Sequence, residues 1–309
     1  WPHMIMLDAL RSYYEVTGDP RVIELMTTFF HYCASIPEEQ FVPQPDKEFG
    51  NWRAFIQTVR SGDMIPHIYW LHNLTGEAAL LDLATRFHEH VSPPEGEFLC
   101  AHIVHFTQRF REPGNYYVQS RDPAQLEETE RWYEQHMSVW GQQPGGVFGA
   151  DECVRSGKTD PKQGFETCGM NEFNKSFYIL AQATGQAMYA DRVEDIIFNS
   201  YPVSQTPNLK ALHYLTAANQ PQLDASTNHD YFNKARQVDY SPHIYRCCQH
   251  NVAMGWPYYV EHMWMAAPGG GLAAWLYGAC EVTAQVGSGG RVTIAQETDY
   301  PFDTSVRMT

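Results

Sequence analysis

One local pattern recurs along this chain and limits what it can fold into: a helix-like run, a turn, then a second helix-like run. It appears as LRSYYEVTGDPRVIELMTTFF (10–30), IYWLHNLTGEAALLDLATRF (68–87) and FYILAQATGQAMYADRVEDIIF (177–198), with a looser copy in NYYVQSRDPAQLEETERWY (115–133). In each, a glycine or a polar residue ends the first run. Asp19-Pro20 and Asp122-Pro123 have the form of an N-cap followed by proline at the first helical position. Bulky residues recur at spacings of three and four on both sides of the turn, the helical period. The runs read as repeated αα-hairpins, and their irregular period points to an α/α toroid or a helical solenoid. Four hairpins, or about eight helices, make an incomplete ring. In such an open arc Leu10, Tyr14 and Phe29 of the first hairpin should be more exposed than a core position warrants.

Long segments rich in Gly, Pro and polar residues separate the hairpins, at Gly141–Gly164 and Pro202–Ser241. Loops of this length in a compact domain are usually functional or disordered. Both flank cysteines, which favours function. Near residue 270 the pattern changes, and RVTIAQETDY alternates β-branched and polar residues as a strand does. The chain opens inside a helix-like pattern and stops in strand-like sequence, so it reads as a piece cut from a longer protein. No signal peptide is visible, and the compartment stays open.

Of 309 residues, 43% are apolar and 14% aromatic, enough for a sizeable core. The formal net charge is −15 and no Lys/Arg run stands out. A nucleic-acid partner would need a basic face, so none is expected. No apolar run is long enough to cross a bilayer, so no membrane partner is expected either. The seven cysteines are Cys33, Cys100, Cys153, Cys168, Cys247, Cys248 and Cys280. Their odd number, in a chain too long to need staples, favours reduced thiols or a metal site over a disulfide framework.

Two of them stand side by side in IYRCCQHN. Neighbouring cysteines cannot easily form a disulfide with each other. Either both pack as small apolar groups, or both face something that binds sulfur. Upstream, GFETCGMNEF separates Glu166 from Cys168 by one residue. With Cys247 and Cys248 they supply one carboxylate and three thiols, a set that zinc accepts. The spacing is not that of a zinc finger, and on spacing alone packing cysteines stand ahead of a metal site. Glu152 lies in the Gly-rich loop at FGADECVR; it is a solvated charge, or one member of a glycosidase acid/base pair. His102 and His105 lie in CAHIVHFTQRFREP. His102 is placed to contact a ligand, although a hydrogen-bonded helix histidine is the plainer reading of each. Asn73-Leu74-Thr75 reads as a capping feature at a helix end. GGGLAAW lacks the Lys-Ser/Thr of a phosphate loop, and no G-x-S-x-G elbow is present.

The stretches GDPRV, RSGDMIPHIYWLHNLTG, AHIVHFTQRFREP, GADE, GFETCGMNEF, ADRVEDIIFNSYP, RCCQHNVAMGWPYYVEHMWM and QETDYPF occur in this order over nearly the whole chain. Together they resemble glycoside hydrolase family 127, whose founding activity is β-L-arabinofuranosidase. The resemblance implies a mainly α fold, an (α/α)6 barrel followed by β-sandwich domains. Residues 1–268 would be a partial catalytic barrel, and 269–309 the start of a β-sandwich domain. It also implies Zn2+ held by Glu166, Cys168, Cys247 and Cys248, with Cys247 as nucleophile, Glu152 as acid/base and His102 holding the sugar.

The implied reaction is retaining hydrolysis through a glycosyl thioether. It would release L-arabinofuranose, or a related unusual plant cell-wall sugar, from an arabinose- or pectin-derived oligosaccharide. Two features depart from the family's pattern: His105 stands where asparagine is commoner, and sugar-contacting residues of the earlier barrel helices are missing from this sequence. GWP after the cysteine pair is closer to relatives acting on unusual pectin sugars than to the founding enzymes. Rival readings are a non-catalytic carbohydrate-binding protein with a structural zinc site, and a lyase on the same toroid.

Overall fold

The computed structural model describes residues 2–42, 52–91, 102–141, 144–159, 163–218, 237–239 and 247–309. Cys100 and residues 219–236 of the second long loop lie outside them. The chain divides into two compact units, Trp1–Glu134 and Gln135–Thr309. It is mainly α-helical, with small antiparallel sheets.

The first unit contains α1 (Pro2–Thr17), α2 (Pro20–Ser35), α3 (Trp52–Arg60), α4 (Ile65–Thr75), α5 (Ala79–His90), α6 (Ile103–Arg109), α7 (Glu112–Ser120) and the start of α8 (Pro123–Trp140). The hairpins fall where the turn chemistry requires. Gly18 and Gly76 take left-handed φ of 65° and 72° at the turns after α1 and α4, and Arg121 takes 56° at the same place after α7. An arginine can occupy this position, at the cost of a conformation that glycine adopts freely. Asp19 caps α2 by accepting from Arg21 N, and Asp122 accepts from Ala124 N at the start of α8.

The core is built from helical stripes. Val22, Met26, Phe30 and Cys33 line one face of α2, and Leu80, Leu83, Ala84 and Phe87 one face of α5. Ile65, Ile68 and Leu71 of α4 join them in one buried cluster. Each fully buried Leu, Ile or Phe contributes about 1.5–3 kcal/mol. Leu10, Tyr14 and Phe29 pack half-buried against this cluster. All three are more exposed than the buried core residues, and the side chains that stand out furthest are Ile5, Met6, Tyr13 and Val16 of α1 and Leu25 and Tyr32 of α2. The helical period explains this gradation. On α1 the stripe Met4, Leu7, Leu10, Tyr14 faces the core, and Ile5, Tyr13 and Val16 lie off it.

The second unit continues with β1 (Phe165–Glu166), α9 (Thr167–Thr184), α10 (Met188–Asp195), a π turn (Ile196–Ser200) and α11 (Tyr201–Val203). Next come β2 (Ala211–His213), β3 (Leu215–Thr216), β4 (Gln237–Asp239), α12 (Cys247–Asn251) and α13 (Gly255–Glu261). Nearly every residue of α9 from Thr167 to Ala181 is buried, which makes it the central helix of the unit. Gly185, with φ 69°, ends it at the turn into α10.

The strands anticipated near residue 270 begin with β5 (Trp264–Ala267) and β6 (Gly271–Ala274), followed by β7 (Cys280–Val286), β8 (Gly290–Glu297) and β9 (Arg307–Met308). β5 pairs with β6, and β7, β8 and β9 form a three-stranded sheet. Val292 and Ile294 of β8 lie opposite Ala284 and Val282 of β7, so the alternation read in the sequence marks one half-buried face.

Candidate active site

The site is assembled at the N-terminal end of α9. β1 pairs antiparallel with β3, placing Glu166 opposite Leu215. Thr167 N donates to Tyr214 O at 3.1 Å, and Thr167 Oγ1 to His213 O at 2.8 Å. These bonds pin the segment before β3 to the start of α9. Cys168 follows in the first turn. Cys247 and Cys248 open the short helix α12, and from its last residue Asn251 Nδ2 donates to the Cys168 sulfur at 3.2 Å.

One ligand atom from each of Glu166, Cys168, Cys247 and Cys248 lies within 4.8 Å of all the others. Glu166 Oε1 is 3.4 Å from the Cys247 sulfur and 3.7 Å from that of Cys248. The Cys168 and Cys248 sulfurs are 3.2 Å apart, well beyond a disulfide bond of about 2.05 Å, and both thiols are free. Glu166, Cys168 and Cys248 are fully buried, whereas Cys247 is half-buried. The adjacent cysteines therefore face one point together. This excludes separate packing of the two side chains.

Electrostatics concentrates the negative charge of the group on one sulfur. Hydrogen bonds from the Cys168 and Cys248 thiols, with help from Tyr214 and Glu166, push Cys247 from 9.0 down to about 2. Burial pushes Cys168, Cys248 and Glu166 upward. Burial thus favours the protonated forms of Glu166, Cys168 and Cys248, and a cation would draw those protons off.

The donor set fits zinc. Bonds of about 2.1 Å to oxygen and 2.3 Å to sulfur in a tetrahedron put oxygen and sulfur about 3.6 Å apart. The Glu166–Cys247 and Glu166–Cys248 separations of 3.4 and 3.7 Å bracket that edge. Two sulfurs would sit about 3.8 Å apart, so Cys168 and Cys248 are drawn closer than zinc would hold them.

Glu152 stands beside this group. It is buried, with 6% exposure, so the solvated-charge reading of its loop does not hold. Its Oε1 accepts from the Tyr214 hydroxyl at 3.0 Å, and the same hydroxyl lies 3.2 Å from the Cys247 sulfur. Asp151 and Glu152 both have left-handed φ, 49° and 87°. For residues other than glycine this costs on the order of 1–2 kcal/mol each. Such strain persists only where surrounding bonds over-determine it.

His102, in the first unit, is the N-cap of α6, its Nδ1 accepting from Val104 N at 3.2 Å. The plainer reading of a hydrogen-bonded helix histidine therefore describes this nitrogen. His105 is buried, and burial pushes its imidazole down to about 2. Sequence reasoning missed Tyr214. A tyrosine in ALHYLT has the apolar, strand-like setting of a core residue, and nothing in its spacing marks its hydroxyl.

Fold and site together define a helical protein with a thiol-rich candidate metal centre and a second carboxylate hydrogen-bonded beside it. The chain belongs to the β-L-arabinofuranosidase family, glycoside hydrolase family 127 catalytic domain, which it matches over residues 1–261. Among curated proteins no match is found.

Solved structures show the same fold. A glycoside hydrolase, 16% identical, aligns over 96% of this chain and 51% of its own with a TM-score of 0.67. A family 127 β-L-arabinofuranosidase from Geobacillus stearothermophilus, also 16% identical, aligns over 98% and 51% with a TM-score of 0.65. A further family 127 β-arabinofuranosidase, 14% identical, aligns over 98% and 58% with a TM-score of 0.56. The chain thus spans about half the length of the first two. Among the described residues, no helix is long and apolar enough to cross a membrane.

Proposed function

We propose that this chain carries the catalytic centre of a retaining glycoside hydrolase. Its substrate would be a β-L-arabinofuranoside or a related plant cell-wall sugar, in an arabinose- or pectin-derived oligosaccharide. The observation that carries the reading is the position of Cys247. The residue belongs to a buried ligand group, is itself only half-buried, and its sulfur shares a hydroxyl with Glu152. Four protein ligands would close the coordination of a metal here, so the reaction would run on the sulfur of the least buried ligand rather than at an open metal position.

Cys247 serves as nucleophile and Glu152 as acid/base. In the first step the Cys247 sulfur bonds the anomeric carbon while the bond to the leaving oxygen breaks, and Glu152 gives that oxygen its proton. In the second step Glu152 takes a proton from water, the water oxygen bonds the anomeric carbon, and the carbon–sulfur bond breaks. Two displacements at one carbon retain its configuration.

Glu166, Cys168, Cys247 and Cys248 would hold Zn2+, which when bound keeps Cys247 as thiolate and makes it a better leaving group. His102 would hold the sugar. The helical hairpins are read as part of an (α/α)6 barrel over residues 1–268, and residues 269–309 as the start of a β-sandwich domain.

The stereochemistry of the first-formed product tests the reading. Proton NMR during hydrolysis of an aryl β-L-arabinofuranoside by the full-length protein should show the β-anomer appearing first. Initial release of the α-anomer would exclude a covalent intermediate on Cys247.

A further inference from the structure

We propose that Asp151 is a positioning residue, which together with Arg155 aims the Glu152 carboxyl at the reacting centre. The proposal rests on the reading of Glu152 as acid/base. Asp151 is fully buried and charged, yet no step of the chemistry uses it. Both of its oxygens are engaged. Oδ1 accepts from Gly164 N at 2.5 Å and Oδ2 from Arg155 Nη2 at 3.0 Å. Arg155 Nη2 also donates to the fully buried Gln163 Oε1 at 2.7 Å. The backbone completes the grip, because Ala150 N and Asp151 N both donate to Gly164 O at 2.8 Å.

Gly164 leads directly into β1, whose second residue is Glu166. One buried carboxylate therefore ties the turn that carries Glu152 to the strand that delivers Glu166. The turn needs such a tie, since Asp151 and Glu152 hold consecutive left-handed backbone conformations that non-glycine residues leave when released. The guanidinium of Arg155 compensates the buried charge, its own side chain remaining 24% exposed. Without the ion pair the turn relaxes, and Glu152 loses its alignment while the cysteines keep theirs.

The test is leaving-group dependence in the full-length protein. kcat/KM is measured for Asp151→Asn, Arg155→Ala and Arg155→Lys on aryl β-L-arabinofuranosides from dinitrophenyl to phenyl, with Glu152→Ala as reference. Asp151→Asn and Arg155→Ala should lose about 10- to 100-fold on the phenyl substrate, since a misplacement of about 1 Å costs that much. On dinitrophenyl, which leaves without a proton, the loss should stay within about threefold, with azide accelerating turnover. Zinc content should match wild type, and Arg155→Lys should recover part of the loss.

A loss equal across all leaving groups, or none, overturns the proposal. If Asp151→Asn fails to fold, the two Arg155 variants decide the matter by the same criterion. If Glu152→Ala itself shows no leaving-group dependence, the acid/base reading falls and the positioning role with it. If Glu152→Ala shows it and the Asp151 and Arg155 variants do not, only the positioning role falls.

Discussion

The Tyr214 hydroxyl lies 3.2 Å from the Cys247 sulfur. It also lies 3.0 Å from Glu152 Oε1, so one proton serves two acceptors. While Cys247 is a thiolate, the sulfur is the charged acceptor. Once the sulfur carries a sugar it accepts weakly, and the ionised Glu152 becomes the better partner. Tyr214→Phe removes a hydrogen bond to whichever group is charged, about 1.5–3 kcal/mol. The expected result is a kcat/KM about 10- to 100-fold lower, with zinc content unchanged by elemental analysis. Wild-type kcat/KM in this variant would show that the shared proton is idle.

Cys247 should be the first thiol to react with an alkylating reagent in chelator-treated protein. Its sulfur is held down to about 2 by the neighbouring thiols, whereas burial pushes Cys33 up to about 11. At pH 6 the first is thiolate and half-exposed, and the second is neutral and buried. Peptide mass mapping after a short iodoacetamide pulse should find the label on the Cys247 peptide. Restoring zinc should slow the labelling. Equal labelling of Cys33 would contradict the charge distribution.

The buried His136 gives a pH signature in stability. Burial lowers its imidazole from 6.5 to about 3. The unfolded chain therefore binds a proton below pH 6.5 that the folded chain refuses until about pH 3. The sign follows: this histidine favours folding less as pH falls from 6.5 towards 3, by up to about 1.4 kcal/mol per pH unit. His136→Phe keeps a ring against Phe148 and Trp140 and removes the titration. Its melting temperature should depend less steeply on pH over that window than that of wild type. Parallel profiles would place the acid sensitivity elsewhere.

Removing one ligand should remove the metal. Cys168→Ser replaces a fully buried sulfur of the group, and zinc bound per chain should fall well below that of wild type. Cys33→Ser, in the first unit's core, should leave it unchanged. Metal binding couples to folding, so chelation should lower the melting temperature of wild type but change that of Cys168→Ser little. A zinc content insensitive to Cys168 would break the four-ligand assignment.

The helical hairpins were legible because local chemistry alone specifies them. Gly18, Gly76 and Gly185 stop helices, Asp19-Pro20 and Asp122-Pro123 start them, and the apolar stripes supply the period. The ligand group was legible as residue types, through the Cys247-Cys248 pair and the nearby Glu166 and Cys168. Their convergence was expected only through the family resemblance and not from spacing, which favoured packing cysteines, because it depends on β1 pairing with β3 and on α12 meeting the start of α9. Tyr214 and Asp151 were illegible for the same reason. The Asp151–Gly164 bond closes across 13 residues of a loop with no periodicity, and the reach of Tyr214 to Glu152 spans 62. Sequence patterns record period and capping, whereas these contacts exist only after the loops have closed.

The most direct test of the central claim is to find the sugar on the sulfur. Glu152→Gln full-length protein is incubated with dinitrophenyl β-L-arabinofuranoside, quenched in acid and digested for peptide mass mapping. The leaving group departs without a proton, and the impaired base slows the second step, so the covalent species accumulates. The account predicts one anhydropentose on the peptide containing Cys247, absent from the Cys247→Ser control. No adduct despite dinitrophenol release, or an adduct on Glu166 or another residue, would contradict Cys247 as the nucleophile.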